Sequence, residues 1–133
     1  MQKDKESDYQ EGIDFIKQGK WEEASQKFVT LSDEPAADSS PGYKYAHALY
    51  KYASAKELFE QGYIAQAYSD IGVIPYGYHG PFEKDIYFFQ KEVAEKYNAL
   101  TPEQLEQESQ QYEAMLLEKS EQMMDEYKEG KGN

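Results

Sequence analysis

Between Tyr9 and Leu31 the apolar positions recur at intervals of three and four, with one interruption at Gly19-Lys20. Tyr9, Gly12, Ile13 and Ile16 make one stripe; Trp21, Ala24, Phe28 and Leu31 make another. A period near 3.6 puts each set on one face of a helix. The spacing predicts a helix from about Ser7 to Gln18, capped by Ser7 or Asp8, and a second from about Lys20 to Ser32. Glu22 and Glu23 fall in the first turn of the second, where the helix dipole favours negative charge.

Breakers then punctuate the chain. Asp33 to Gly42 (DEPAADSSPG) reads as a loop. A third helix is expected from near Pro41 to about Gln61. It is apolar on most of its circumference (Tyr43, Tyr45, Ala46, Ala48, Leu49, Tyr50, Tyr52, Ala53, Ala55, Leu58, Phe59), which predicts a central helix packed from several sides. Gly62 ends it. A short helix follows from about Tyr63 to Ile71, with Ile64, Ala67, Tyr68 and Ile71 inward. Gly72 to Pro81 (GVIPYGYHGP) cannot be regular helix and is expected to be an ordered turn or a mobile loop. A fifth helix is expected from Pro81 to Asn98 on Phe82, Ile86, Phe89, Val93 and Tyr97. Thr101-Pro102-Glu103-Gln104 has the form of a capping box opening a sixth, to about Lys128. Its stripe of Leu105, Tyr112, Leu116, Met123 and Tyr127 is narrow and flanked by Glu, so it either caps the array or, with Met115 and Met124, pairs with another helix. No strand pattern competes. The fold class is all-α: residues 1–7 flexible, then one helical domain over 8–133.

Gly12, Gly19, Trp21, Ala24 and Phe28 have the separations of a helical hairpin that crosses closely: a small residue midway, a turn Gly, an aromatic, a second small residue and a large knob. Ala55, Gly62, Ile64, Ala67 and Ile71 repeat them 43 residues later, the distance from Gly19 to Gly62. The pattern resembles the tetratricopeptide repeat, whose usual period is about 34 residues. The long third helix and the loop before it account for the excess. The first copy lacks the family's late Pro, and the second has Ile where the family has an aromatic. The resemblance covers about residues 9–75, leaving 81–129 as a helical cap. It implies an antiparallel hairpin array of about six helices that binds peptides or protein tails in its concave face and performs no chemistry. The chain is also similar to uncharacterised helical proteins of low-GC Gram-positive bacteria.

Charge narrows the partners. The formal net charge is -12, and all fourteen basic residues are Lys. Such a chain repels phosphate backbones and lacks the bidentate Arg fork, which argues against nucleic acid as a partner. The expected partner is a protein or peptide, basic or neutral, with the chain itself a monomer or homodimer. No apolar run is long enough to insert in a membrane. With no Cys, disulfides and thiolate metal sites are excluded. A cytoplasmic location and an extracytoplasmic lipoprotein domain whose leader has been removed are both compatible with the polar start MQKDKESD.

Thirteen Tyr make up most of the aromatic content. They concentrate around the third helix and the two turns after it, and Tyr hydroxyls need partners when buried. Tyr43, Tyr50, Tyr52, Tyr68, Tyr76 and Tyr78 are the candidate lining of a peptide groove; the bland alternative is that they fill a mixed core. His47 is expected in the core or groove. His79, near Glu83 and Asp85, is the one place where a small metal-binding or hydrolytic module can be drawn. No nucleophile, phosphate-loop or zinc motif accompanies it, so the expectation is no enzyme and no cofactor. The leading reading is a non-enzymatic protein- or peptide-binding scaffold, with a structural or dimerisation domain as a further alternative.

Overall fold

The computed structural model describes residues 2–32 and 45–132, with side chains described for 6–32 and 45–129. Among these the elements are six helices: α1 (Gln2–Lys17), α2 (Trp21–Ser32), α3 (Ala46–Glu60), α4 (Ile64–Ile71), α5 (Glu83–Asn98) and α6 (Pro102–Gly132), with no strand. The chain is all-α, as its periodicity predicts. The expected loop over Asp33 to Gly42, the helix start near Pro41, and Tyr43 lie outside the described residues. No helix among the described residues is long and apolar enough to cross a membrane.

The first hairpin is set by one contact. Gly12 lies against the ring of Phe28, so closely that a Cβ on Gly12 would stand 2.6 Å from Phe28 Cζ. Phe28 is completely buried, and Tyr9 meets its ring edge-on at 5.8 Å. Lys27 closes the polar side of the same crossing, with Nζ 3.0 Å from Glu11 and 3.3 Å from Asp8.

The turn after α1 has a specific hydrogen-bond frame. Gly19 N–H donates to the carbonyl of Ile16 at 3.0 Å and Lys20 N–H to that of Phe15 at 2.8 Å. This is a Schellman ending, which requires a left-handed residue, and Gly19 supplies it with φ +73°. The turn after α3 is the same motif: Gly62 N–H to Phe59 at 3.1 Å, Tyr63 N–H to Leu58 at 2.9 Å, and φ +92° at Gly62. Both of these bonds therefore have their counterparts 43 positions on. The next helical bond matches as well, Ala24 to Lys20 and Ala67 to Tyr63.

Burial follows the same frame and extends it. Tyr9 and Tyr52, Gly12 and Ala55, Ala24 and Ala67, Phe28 and Ile71, Leu31 and Ile74 are equivalent buried pairs. Where the knob shrinks from Phe28 to Ile71, the small residue grows from Gly12 to Ala55, which conserves volume at the crossing. Ser54 Oγ donates to Asp70 at 2.7 Å and Lys51 approaches the same carboxylate at 3.6 Å, joining α3 to α4. The principal contacts run in chain order, α1 with α2, α2 with α3, α3 with α4 and α4 with α5.

Several boundaries differ from the periodicity, and α6 runs on to Gly132 where an end at about Lys128 is expected. α1 starts at Gln2, not Ser7, because KDKE is built of ordinary helix formers with no breaker. α5 starts at Glu83, not Pro81, because Phe82 is left-handed at φ +62°. The chain also divides into two compact units, residues 1–98 and 99–133, so that α5 belongs with the first four helices. Ile86, Phe89 and Val93 place it in their core. The second unit consists of α6 and its approach. It opens on the expected capping box: Gln104 N–H donates to Thr101 Oγ1 at 3.1 Å, and Thr101 N–H to Gln104 Oε1 at 2.9 Å.

Gly12→Ala should therefore cost about 1–3 kcal/mol of stability by overpacking, against its helix-propensity gain of up to ~1 kcal/mol. Gly77→Ala is the control, since its Cβ would meet nothing within 4 Å. It should change stability by less than about 0.5 kcal/mol, both variants being measured by denaturant unfolding.

Candidate functional site

The turn between α4 and α5 is ordered, and its order comes from named bonds. Gln90, one turn along α5 from Ile86, donates its Nε2–H to the carbonyl of Ile74 at 3.0 Å. Tyr78 N–H donates to Pro75 at 3.0 Å, and the Tyr78 hydroxyl to the Pro81 carbonyl at 2.8 Å. Tyr45 packs edge-on against Tyr78 at 5.8 Å. Tyr68 and Tyr97 stack almost parallel at 4.2 Å, fastening α4 to α5. The turn is thus held from both flanking helices.

α5 buries Ile86, Phe89 and Val93, and the helical period then forces Tyr87 and Phe88 outward. Phe88 is 68% exposed, Tyr87 48%, and Tyr76 on the turn 93%. These rings border a cleft of about 640 Å³ between the turn and α5, lined also by Pro75, His79, Glu83 and Lys84. A second cleft of about 480 Å³ lies on the other side of Tyr76, against Tyr68, Val73 and Gln90. Volumes of this size suit a bound side chain or short peptide segment. Isolated apolar residues on a surface are ordinary; several large rings around one cleft are not. Lys91 Nζ lies 5.3 Å from the Tyr87 ring centroid, so the ring face already attracts a cation.

The six tyrosines anticipated as one groove lie in different environments. Tyr52 is a core residue, only 4% exposed, with Trp21, Phe82 and Phe89 rings 5.6–6.3 Å from its own. Tyr78 is half-buried and braces the turn. Tyr50 is half-buried on α3 beside Lys51. Tyr68 and Tyr76 are exposed near the α4–α5 turn, and Tyr43 lies outside the described residues. The cleft brings together Tyr76 and Tyr78 and adds Tyr87 and Phe88, which the groove reading omitted. Their signal was present: once Ile86, Phe89 and Val93 are inward, Tyr87 and Phe88 must face out.

His47 is exposed, its ring 6.4 Å from Tyr50, not placed in the core. His79 is also exposed, with Nδ1 2.6 Å from Glu83 Oε1. Asp85 does not join them. Among the described residues no three His, Asp or Glu side chains are grouped to hold a metal ion.

Comparison with protein-family models, curated proteins and solved structures finds no match to this chain. The site is therefore interpreted from its own geometry.

Burial raises the pKa of three phenols: Tyr52 is pushed up to about 12, with Asp85 adding to the effect, and Tyr78 and Tyr9 also rise. A phenol with a raised pKa in the folded state stabilises that state fully below its ordinary value near 10. The contribution is lost as pH climbs through the folded value. For Tyr52 alone it amounts to about 2–3 kcal/mol. Stability should fall steeply between about pH 10 and 12, and Tyr52→Phe should move the alkaline unfolding midpoint upward. Far-UV dichroism and tyrosinate absorbance against pH check both.

Proposed function

We propose that the chain is a non-enzymatic peptide-binding scaffold, built of tetratricopeptide-like hairpins, that captures a partner at the cleft between the α4–α5 turn and α5. The observation that carries this reading is the exposure of Tyr76, Tyr87 and Phe88 around one cleft. A partner's apolar or aromatic side chain entering it would bury several rings that now face water, and aromatic anchors of this kind dominate binding energy. The turn is braced by Gln90 and Tyr78 before any partner arrives, which lowers the ordering cost of binding.

The partner's charge follows from the chain's own. At -12, an acidic peptide is repelled and a neutral or basic one is favoured. Glu83, half-exposed at the cleft edge, offers a carboxylate to a cationic residue flanking the apolar anchor. Tyr43, Tyr50 and Tyr52 on the third helix are not needed for this mode. The clefts use Tyr68, Tyr76 and Tyr78 from the original set.

Peptides selected on the wild-type protein from an unbiased displayed library, then titrated by calorimetry, test the proposal. Tyr76→Ala and Phe88→Ala should each weaken binding about tenfold or more while leaving the melting temperature unchanged, because both side chains are exposed. Selected peptides that bind both variants as tightly as wild type would contradict it.

A further inference from the structure

The exposed ring of Tyr76 borders both clefts, and Pro75 and Gln90 are walls common to the two. Their linings differ otherwise. The first is bordered by the Tyr87 and Phe88 rings and by His79, Glu83 and Lys84. The second, against Tyr68 and Val73, has no charged lining residue. Each cleft therefore suits one apolar side chain, and only the first has charge beside it.

Gln90 adds a polar contact to the shared wall. Its Nε2–H groups are directed at the carbonyls of Ile74, at 3.0 Å, and Ile71, at 3.5 Å. Two acceptors at the nitrogen fix how the carboxamide is turned, because the flipped amide would set oxygen against oxygen. Oε1 is thereby left as an acceptor. It takes no hydrogen bond from the described residues, none of which has a polar side-chain atom buried without a partner. Solvent in the clefts therefore reaches it. That oxygen decides between two ways of placing a pair of side chains on either side of one ring. A helix presents residues three or four apart, but its N–H groups are already bonded within the helix. An extended segment presents residues two apart on one face, roughly 6.6 Å from each other, and keeps N–H groups free.

We propose that the two clefts and Gln90 form one groove for an extended peptide segment of the pattern apolar–any–apolar, with Lys or Arg next to the first-cleft anchor. This inference rests on the cleft being a peptide site and adds the partner's spacing, conformation and charge. The segment crosses Tyr76. One anchor enters against Tyr87 and Phe88, and the residue two along enters against Tyr68 and Val73. The residue between them turns its side chain to solvent and donates its N–H to Gln90 Oε1. The adjoining basic residue lies at Glu83, and the chain's net charge of -12 attracts it.

The probes are the peptides selected on the intact wild-type chain from the unbiased displayed library. Their sequences should align on two apolar residues separated by one, with Lys or Arg beside one of them. Calorimetry on blocked synthetic copies then assigns the anchors. Replacing the first-cleft anchor by Ala should weaken binding to wild type about tenfold, and to Phe88→Ala by no more than about twofold. The other anchor should couple in the same way to Val73→Asp, whose position is also exposed. An ester in place of the middle residue's amide removes its N–H and should cost wild type about three- to tenfold in affinity. It should cost Gln90→Met nothing, a difference that mere loosening of the turn cannot produce. Peptides that need Tyr76 and Phe88 but align on a single anchor or another spacing overturn this inference and leave the cleft reading standing. So does an ester penalty that is absent, or equal in wild type and Gln90→Met. Peptides that bind Tyr76→Ala and Phe88→Ala as tightly as wild type, or a library that yields none, contradict both.

Discussion

The approach of Gly12 to the ring of Phe28 is the constraint on which the first hairpin depends. Two helices can come this close only where one of them has no side chain, and the ring then fills the space a Cβ would take. The consequences spread from there. Tyr9 packs edge-on against the same ring, Lys27 can reach two α1 carboxylates, and the short turn must reverse the chain within three residues. Gly19 makes that reversal possible by accepting a left-handed conformation. The second hairpin repeats the solution with smaller parts at the knob and larger ones at the crossing, and with the same hydrogen bonds at the turn. The repetition is what stacks α2 on α3 and gives α5 a surface to cover.

Much of this frame could be read from the sequence, because its signals are local. A turn Gly three residues past a helical stripe, and Thr-Pro-Glu-Gln as a capping box, act within one turn of backbone. Both are found where they were expected. The equivalence of Tyr9 with Tyr52 was harder to see, since the side chains at those positions serve cores of different composition. Tyr52 and Tyr76 show the limit most clearly. They are the same residue type in the same aromatic region, yet one is 4% exposed and the other 93%. What separates them is the packing of α2 and α5 around α3, which no local pattern encodes. The left-handed Phe82 is similar: Pro81 looks like a first helical residue, but the ring of Phe82 is drawn toward Tyr52 and the helix begins after it. Tyr87 and Phe88 were legible in principle, as the outward positions of a correctly assigned helix.

The clefts sit on a turn tied down by Gln90 and Tyr78, with the Tyr87 and Phe88 rings stacked on each other and a carboxylate at the edge, so the proposed binding would have little to order.

The most direct measurement is a double-mutant cycle at the crossing of α1 and α2. Gly12→Ala, Phe28→Leu and the pair are each unfolded in denaturant. If the ring sets the helix spacing, shrinking it must relieve the methyl. The double variant should then be more stable than the sum of the two single losses implies, by about 1 kcal/mol or more. Simple additivity within about 0.3 kcal/mol would contradict the idea that this contact governs the hairpin.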